Sequence, residues 1–157
     1  MNGQMRLAYR LLRAVARAGL KNARAFDPGR TTRLPQPQAP RDLPPDRMQI
    51  HLFGATFASQ AAADAFCYGA GDPETPTLLT RELDGAYVDP AEVEVTCGGV
   101  EPRLREFLDP GEADDVMLRL GADNSLVILT ENAFGGLPYT LDDTETLTYL
   151  GPMVVEV

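Results

Sequence analysis

An α+β fold is predicted: a mostly antiparallel sheet with helices packed on one face, preceded by a basic amphipathic helix and a proline-rich linker. Three observations predict it. From Met48 onward, short alternating apolar stretches are interleaved with helix-period stretches. Prolines crowd residues 27–47 without any apolar periodicity. Lys and Arg recur every three or four residues through residues 5–26.

The elements follow in order. Within residues 1–26, "MRLAYRLLRAVARAGLKNARAF" (5–26) carries basic residues at 6, 10, 13, 17, 21 and 24. At helical spacing these fall within an arc of about 80°, with Leu7, Leu11, Leu12, Val15 and Leu20 mostly off it. Residues 27–47 read as a linker, because proline lacks a backbone donor and blocks helix. Residues 48–157 then form the patterned, acidic domain.

In that domain "QIHLF" (49–53) alternates and reads as a strand ending at Gly54. Ser59 is placed to cap a helix through "QAAADAFCY", turning Ala62, Ala63 and Phe66 inward. "TLLTREL" (77–83) fits either helix or strand, and "AEVEVTC" (91–97) alternates as a strand. "EPRLREFL" (101–108) reads as a short helix stopped by Asp109-Pro110. "EADDVMLRL" (112–120) reads as a second helix, with Val116, Leu118 and Leu120 partly in phase. "SLVILT" (125–130) is continuously apolar, as a central strand buried on both faces would be. "ETLTYL" (145–150) and "MVVEV" (153–157) read as two strands separated by Gly151-Pro152.

Charge is unevenly divided. Residues 1–48 hold ten Lys/Arg against three Asp/Glu, a balance of +7. Residues 49–157 hold four against twenty, a balance of −16, which together give the net −9 of the 157-residue chain. The acidic domain should repel nucleic acid and anionic membranes and attract basic surfaces. No membrane is expected for residues 48–157, whereas the basic helix could touch anionic surfaces. That helix has four open readings: a lipid-binding helix, a transit-type leader, a basic arm, or a segment upstream of a protein that begins at Met48. The two cysteines, Cys67 and Cys97, form no CxxC, and free thiols in a reducing cytoplasm are their plainest reading.

The stretch "YVDPAEVEV" (87–95) concentrates three carboxylates, Asp89, Glu92 and Glu94. On a strand Glu92 and Glu94 would share one face, with Val93 and Val95 on the other. A solvated strand face is the default reading of such charge. Acid/base chemistry would need a partner group in a contrasting environment, and no such group is nominated. Metal chemistry is not indicated either. "DDTET" (142–146) and "EADD" (112–115) lack the spacing of a calcium loop, and His51 is the only histidine, read as a satisfied sheet residue. No nucleophile elbow or phosphate loop is present in the sequence. The expectation is therefore a protein that is not an enzyme, with no catalytic residues, metal or cofactor.

Several segments resemble the immunity protein 22 family of bacterial polymorphic-toxin systems. They are "IHLFGATFASQAAADAFCY" (50–68), "AYVDPAEVEV" (86–95), "NSLVILTENAF" (124–134) and "DTETLTYLG" (143–151). The resemblance covers residues 48–157; the Phe53 of "HLFG" departs from a family that often has Trp near its first strand. It implies a cytoplasmic immunity protein that binds and neutralises a cognate toxin catalytic domain by occlusion. A basic target such as a nuclease would suit the acidic domain. Asp89, Glu92 and Glu94, helped by Asp142, Asp143 and Glu145, are then the candidate partner-binding residues. A small acidic adaptor or regulatory domain without a toxin partner is the alternative.

Overall fold

The structure is a computed structural model that describes residues 42–71, 74–84 and 86–157. All of these belong to a compact unit spanning Pro35–Val157. The expected basic helix and residues 27–41 of the linker lie outside the described residues.

The fold is α+β, built on a fully antiparallel sheet of four strands. These are β1 (Arg47–Ala55), β2 (Val93–Cys97), β3 (Ser125–Thr130) and β4 (Thr148–Glu156), in the spatial order β2-β3-β1-β4. Four helices are described: α1 (Gln60–Tyr68), α2 (Leu78–Glu82), α3 (Val100–Leu104) and α4 (Pro110–Leu120). Two 3-10 turns, Pro90–Glu92 and Glu131–Phe134, precede β2 and follow β3.

The helices divide between both faces of the sheet, where the sequence pattern suggested one. Phe53, Val93, Val95, Val127 and Leu129 point into a core shared with α1 and α2. Ile50, Leu52, Leu126 and Ile128 point the other way, into a core shared with α3 and α4. The reason is local: β1 and β3 are apolar at both odd and even positions, so each face must be covered. β3 is central and buried at five of its six residues, as its unbroken apolar run implies.

Local chemistry sets the ends of these elements. The Ser59 hydroxyl accepts from Ala62 N at 3.2 Å and caps α1. The helix then buries Ala63, Phe66 and Cys67, whereas Ala62, expected inside, is exposed. α2 resolves the ambiguous "TLLTREL" as a helix capped by Thr77. α4 begins at Pro110 and buries Ala113, Val116 and Leu120, so Leu118 is left 82% exposed.

Two boundaries differ from expectation. β1 starts at Arg47, one residue before the expected domain start, and its guanidinium bonds Glu156 at the end of β4. The two expected C-terminal strands are one. Gly151, at φ 106°, and Pro152 sit within β4 beside an irregularity between Leu52 and Phe53 of β1. A bulge on an edge strand tolerates both residues, because proline there need not donate inward.

The opposite edge, β2, is closed by side chains of α1. Gln60 Nε2 donates to Val95 O at 3.0 Å and its Oε1 accepts from Cys97 N at 2.8 Å. The Tyr68 hydroxyl donates to Val93 O at 2.9 Å. Three of the polar groups that a neighbouring strand would use are thus already bonded.

Candidate functional site

The candidate carboxylates are reached from both edges of the sheet. Asp89 ends an extended segment and caps the first 3-10 turn, its Oδ1 accepting from Ala91 N at 2.9 Å. Its backbone N–H donates to Ala133 O at 2.8 Å, which pins this segment to the second 3-10 turn. Glu92 is the last residue of the first turn and accepts from the Thr130 hydroxyl. It belongs to the turn and not to β2 itself, yet the bond to Thr130, whose side chain shares a sheet face with those of Ile128 and Glu94, keeps it on the same side of the sheet as Glu94. Val93 and Val95 do face the core.

Glu94 lies on β2 in a two-point ion pair with Arg103 of α3, at 2.6 and 2.8 Å. Its charge is largely spent inside the fold. Asp142, Asp143 and Glu145 precede β4, the other edge strand. Asp142 Oδ1 accepts from Asp143 N, and Asp143 Oδ1 from Tyr149 N, each at 2.8 Å. The sheet order sets β3 and β1 between the two carboxylate groups, so they do not form one cluster.

A buried polar group centres on His51, which is the satisfied sheet histidine expected from the sequence; its partners were not expected. Period two places Gln49, His51 and Phe53 on one face of β1. Gln49 and His51 are 2% and 0% exposed. The Nδ1 of His51 stands 2.9 Å from the Tyr149 hydroxyl of β4. Its Nε2 stands 2.9 Å from the Tyr139 hydroxyl and 3.1 Å from Oε2 of Glu131. Tyr139 donates to that same Glu131 oxygen at 2.7 Å, and Gln49 Nε2 does so at 3.1 Å. Phe134 stacks on Tyr139 with centroids 3.9 Å apart, and His51 meets both rings edge-on.

The electrostatics follow from burial. Burial first, and then the Glu131 carboxylate, push the Tyr139 phenol above its ordinary range, so it serves as a firm donor. Two acceptors in the group, Gln49 Oε1 and Glu131 Oε1, are buried with no donor among the described residues. The cluster ties together β1, the turn after β3, the 135–147 connection and β4. Its effect is to fix the course of that connection across the sheet. One sequence signal could have found it: two polar residues, Gln49 and His51, share the period-two face of Phe53 in an otherwise apolar strand.

Among the described residues, no group of three or more His, Cys, Asp or Glu is arranged to hold a metal ion. No helix among them is long and apolar enough to cross a membrane. No protein-family model, curated protein or solved structure matches the chain.

Next to the buried group the surface is acidic. Residues 82–102 and 120–157 contain no Lys or Arg at all. Of the four arginines after Met48, three are held internally. Arg103 binds Glu94 and Glu106, Arg105 binds Glu101 and Asp114, and Arg119 donates to the carbonyls of Asp115 and Leu150.

Proposed function

We propose that residues 48–157 form an immunity protein that binds and neutralises a cognate bacterial toxin domain by occlusion. The target is basic, as a nuclease domain must be to hold a phosphate backbone. The observation that carries this reading is the disposition of charge. Twenty acidic residues face four arginines after residue 48, and three of the arginines are consumed by internal bonds. What remains outward is a surplus of carboxylate, which speeds encounter with a cationic surface and disfavours anionic competitors.

Asp89 and Glu92 are the contact carboxylates best placed for this. They sit together on one turn, and among the described residues neither is in an ion pair with an arginine. Asp142, Asp143 and Glu145, on the far edge, contribute to long-range attraction. Glu94 contributes less, because Arg103 neutralises it.

The test is co-expression with the catalytic domain encoded next to the gene, scored by survival, followed by stopped-flow association of the purified pair. Protection, with an on-rate that falls steeply with salt, is expected. No protection and no complex would sink the reading. Binding of basic proteins without protection would instead favour an acidic adaptor.

A further inference from the structure

We propose that the surface carrying Tyr87 and Leu137 is the contact centre at which this domain holds an arginine-bearing basic protein. The inference rests on the binding function proposed above and gives it a place and a chemistry. Tyr87 is 55% exposed and Leu137 54% exposed, while Ala86 and Val88 on either side of Tyr87 pack into the core. Exposed large apolar side chains rimmed by polar groups are the usual make-up of a contact centre.

Tyr87 is held firmly. The Asp89 N–H is bonded to Ala133 O at 2.8 Å, which fixes the backbone two residues away. Its ring lies over Gly135, where a Cβ would come within 3.2 Å of Cδ1 and Cε1. Gly135 and Gly136 both adopt left-handed backbone, at φ 59° and 75°, and Leu137 follows them with its N–H bonded to Phe134 O at 3.0 Å. Beneath this turn lies the stack of Phe134 on Tyr139, anchored by the buried His51–Glu131 group. An aromatic side chain ordered in advance loses little freedom on binding.

The rim specifies the partner. Asp89, two residues after Tyr87 and only partly buried, supplies the carboxylate next to the patch. Both segments that build it belong to stretches without Lys or Arg. An anionic lipid would be repelled, and a second copy would bring together two chains of net charge −9. A guanidinium suits the site better than an ammonium. Its plane stacks on a phenol ring while its fork bonds a neighbouring carboxylate in two places.

The test uses the whole chain with fluorescein-labelled octa-arginine and octa-lysine peptides, read by anisotropy over a range of salt. Octa-arginine should bind more tightly than octa-lysine. Tyr87→Ala should weaken octa-arginine by about fivefold or more, while Tyr87→Phe retains it. Leu118→Ala, at an exposed position on α4, should change nothing. Leu137→Ser provides a second variant should thermal melts show Tyr87→Ala to be unfolded. Equal binding of the two peptides, or equal effects at Tyr87 and Leu118, would overturn the proposal in favour of diffuse charge. Self-association abolished by Tyr87→Ala would overturn it in favour of a second copy. Failed protection alongside a Tyr87-dependent arginine preference would remove the toxin reading alone. Protection that survives Tyr87→Ala would remove this proposal alone.

Discussion

His51, wholly buried in β1, has its Nε2 3.1 Å from Oε2 of Glu131, the first residue after β3. The same carboxylate oxygen accepts from Tyr139 and Gln49. Glu131→Leu would therefore leave several buried donors without an acceptor. A loss of about 2–4 kcal/mol is expected, larger than for Glu131→Gln, which keeps a polar partner. Urea melts of both variants measure this. Equal, small losses would mean that the cluster is not held through Glu131.

The closed edge of β2 makes a separate prediction. Gln60 and Tyr68 bond three backbone groups that would otherwise face water. Gln60→Ala with Tyr68→Phe should lower stability by about 1–3 kcal/mol. The open edge should also raise the tendency to self-associate. Light scattering of the double variant at rising concentration would show it, and a monodisperse, equally stable variant would contradict it.

Gly54 is a matter of space. A Cβ there would meet Leu120 Cδ1 at 2.9 Å and Asp123 Oδ2 at 3.0 Å. Gly54→Ala should cost about 1–3 kcal/mol by forcing the end of α4 away from β1. Gly111, with nothing within 4 Å, supplies the contrast, and Gly111→Ala should be neutral or stabilising. Thermal melts of the pair decide it, and similar midpoints would show that α4 yields freely.

Cys67 governs behaviour in alkali. Burial first, and then Asp64, push its thiol from 9.0 up to about 12. Tyr139 is likewise raised above 10.0, by burial and then by Glu131. A raised folded value means that the unfolded chain releases its proton first as pH rises. This stability is fully present below pH 9.0 and is lost as pH climbs towards about 12. Cys67→Ala should flatten the part of that decline owed to the thiol. Native protein should also react with a thiol reagent at Cys97, which is partly exposed, well before Cys67. An unchanged alkaline slope in Cys67→Ala would refute the assignment.

The Glu94–Arg103 pair bears on how the acidic surface should be probed. Glu94→Gln should cost up to about 1 kcal/mol, since both groups are partly exposed. Glu94→Lys should cost more, because it sets a second cation against Arg103. Asp89→Asn and Glu92→Gln should alter association rate and salt dependence with smaller effects on folding. Melts beside stopped-flow traces separate the two classes, and equal stability losses at Glu94 and Glu92 would remove the distinction.

The sequence by itself determined the α+β class, the central strand and the Ser59 cap. Each rests on local chemistry: the unbroken apolar run "SLVILT", the hydroxyl ahead of "QAAADAFCY", and the alternation of "VEV". It also showed the division of charge, which is a property of composition. Tertiary structure decided what contacts between distant segments decide. Alternation placed Val93 and Val95 inward, but Thr130 of β3 took up Glu92 and Arg103, nine residues from Glu94, took up Glu94. Glu131 and Tyr139 look like ordinary surface or loop residues, and Tyr149 like any residue of a strand, until the fold brings them to His51, some 80 to 98 positions earlier in the chain. A residue's local pattern carries its preference for helix, strand or turn. Whether its charge is spent, buried or offered to a partner depends on what the fold brings against it.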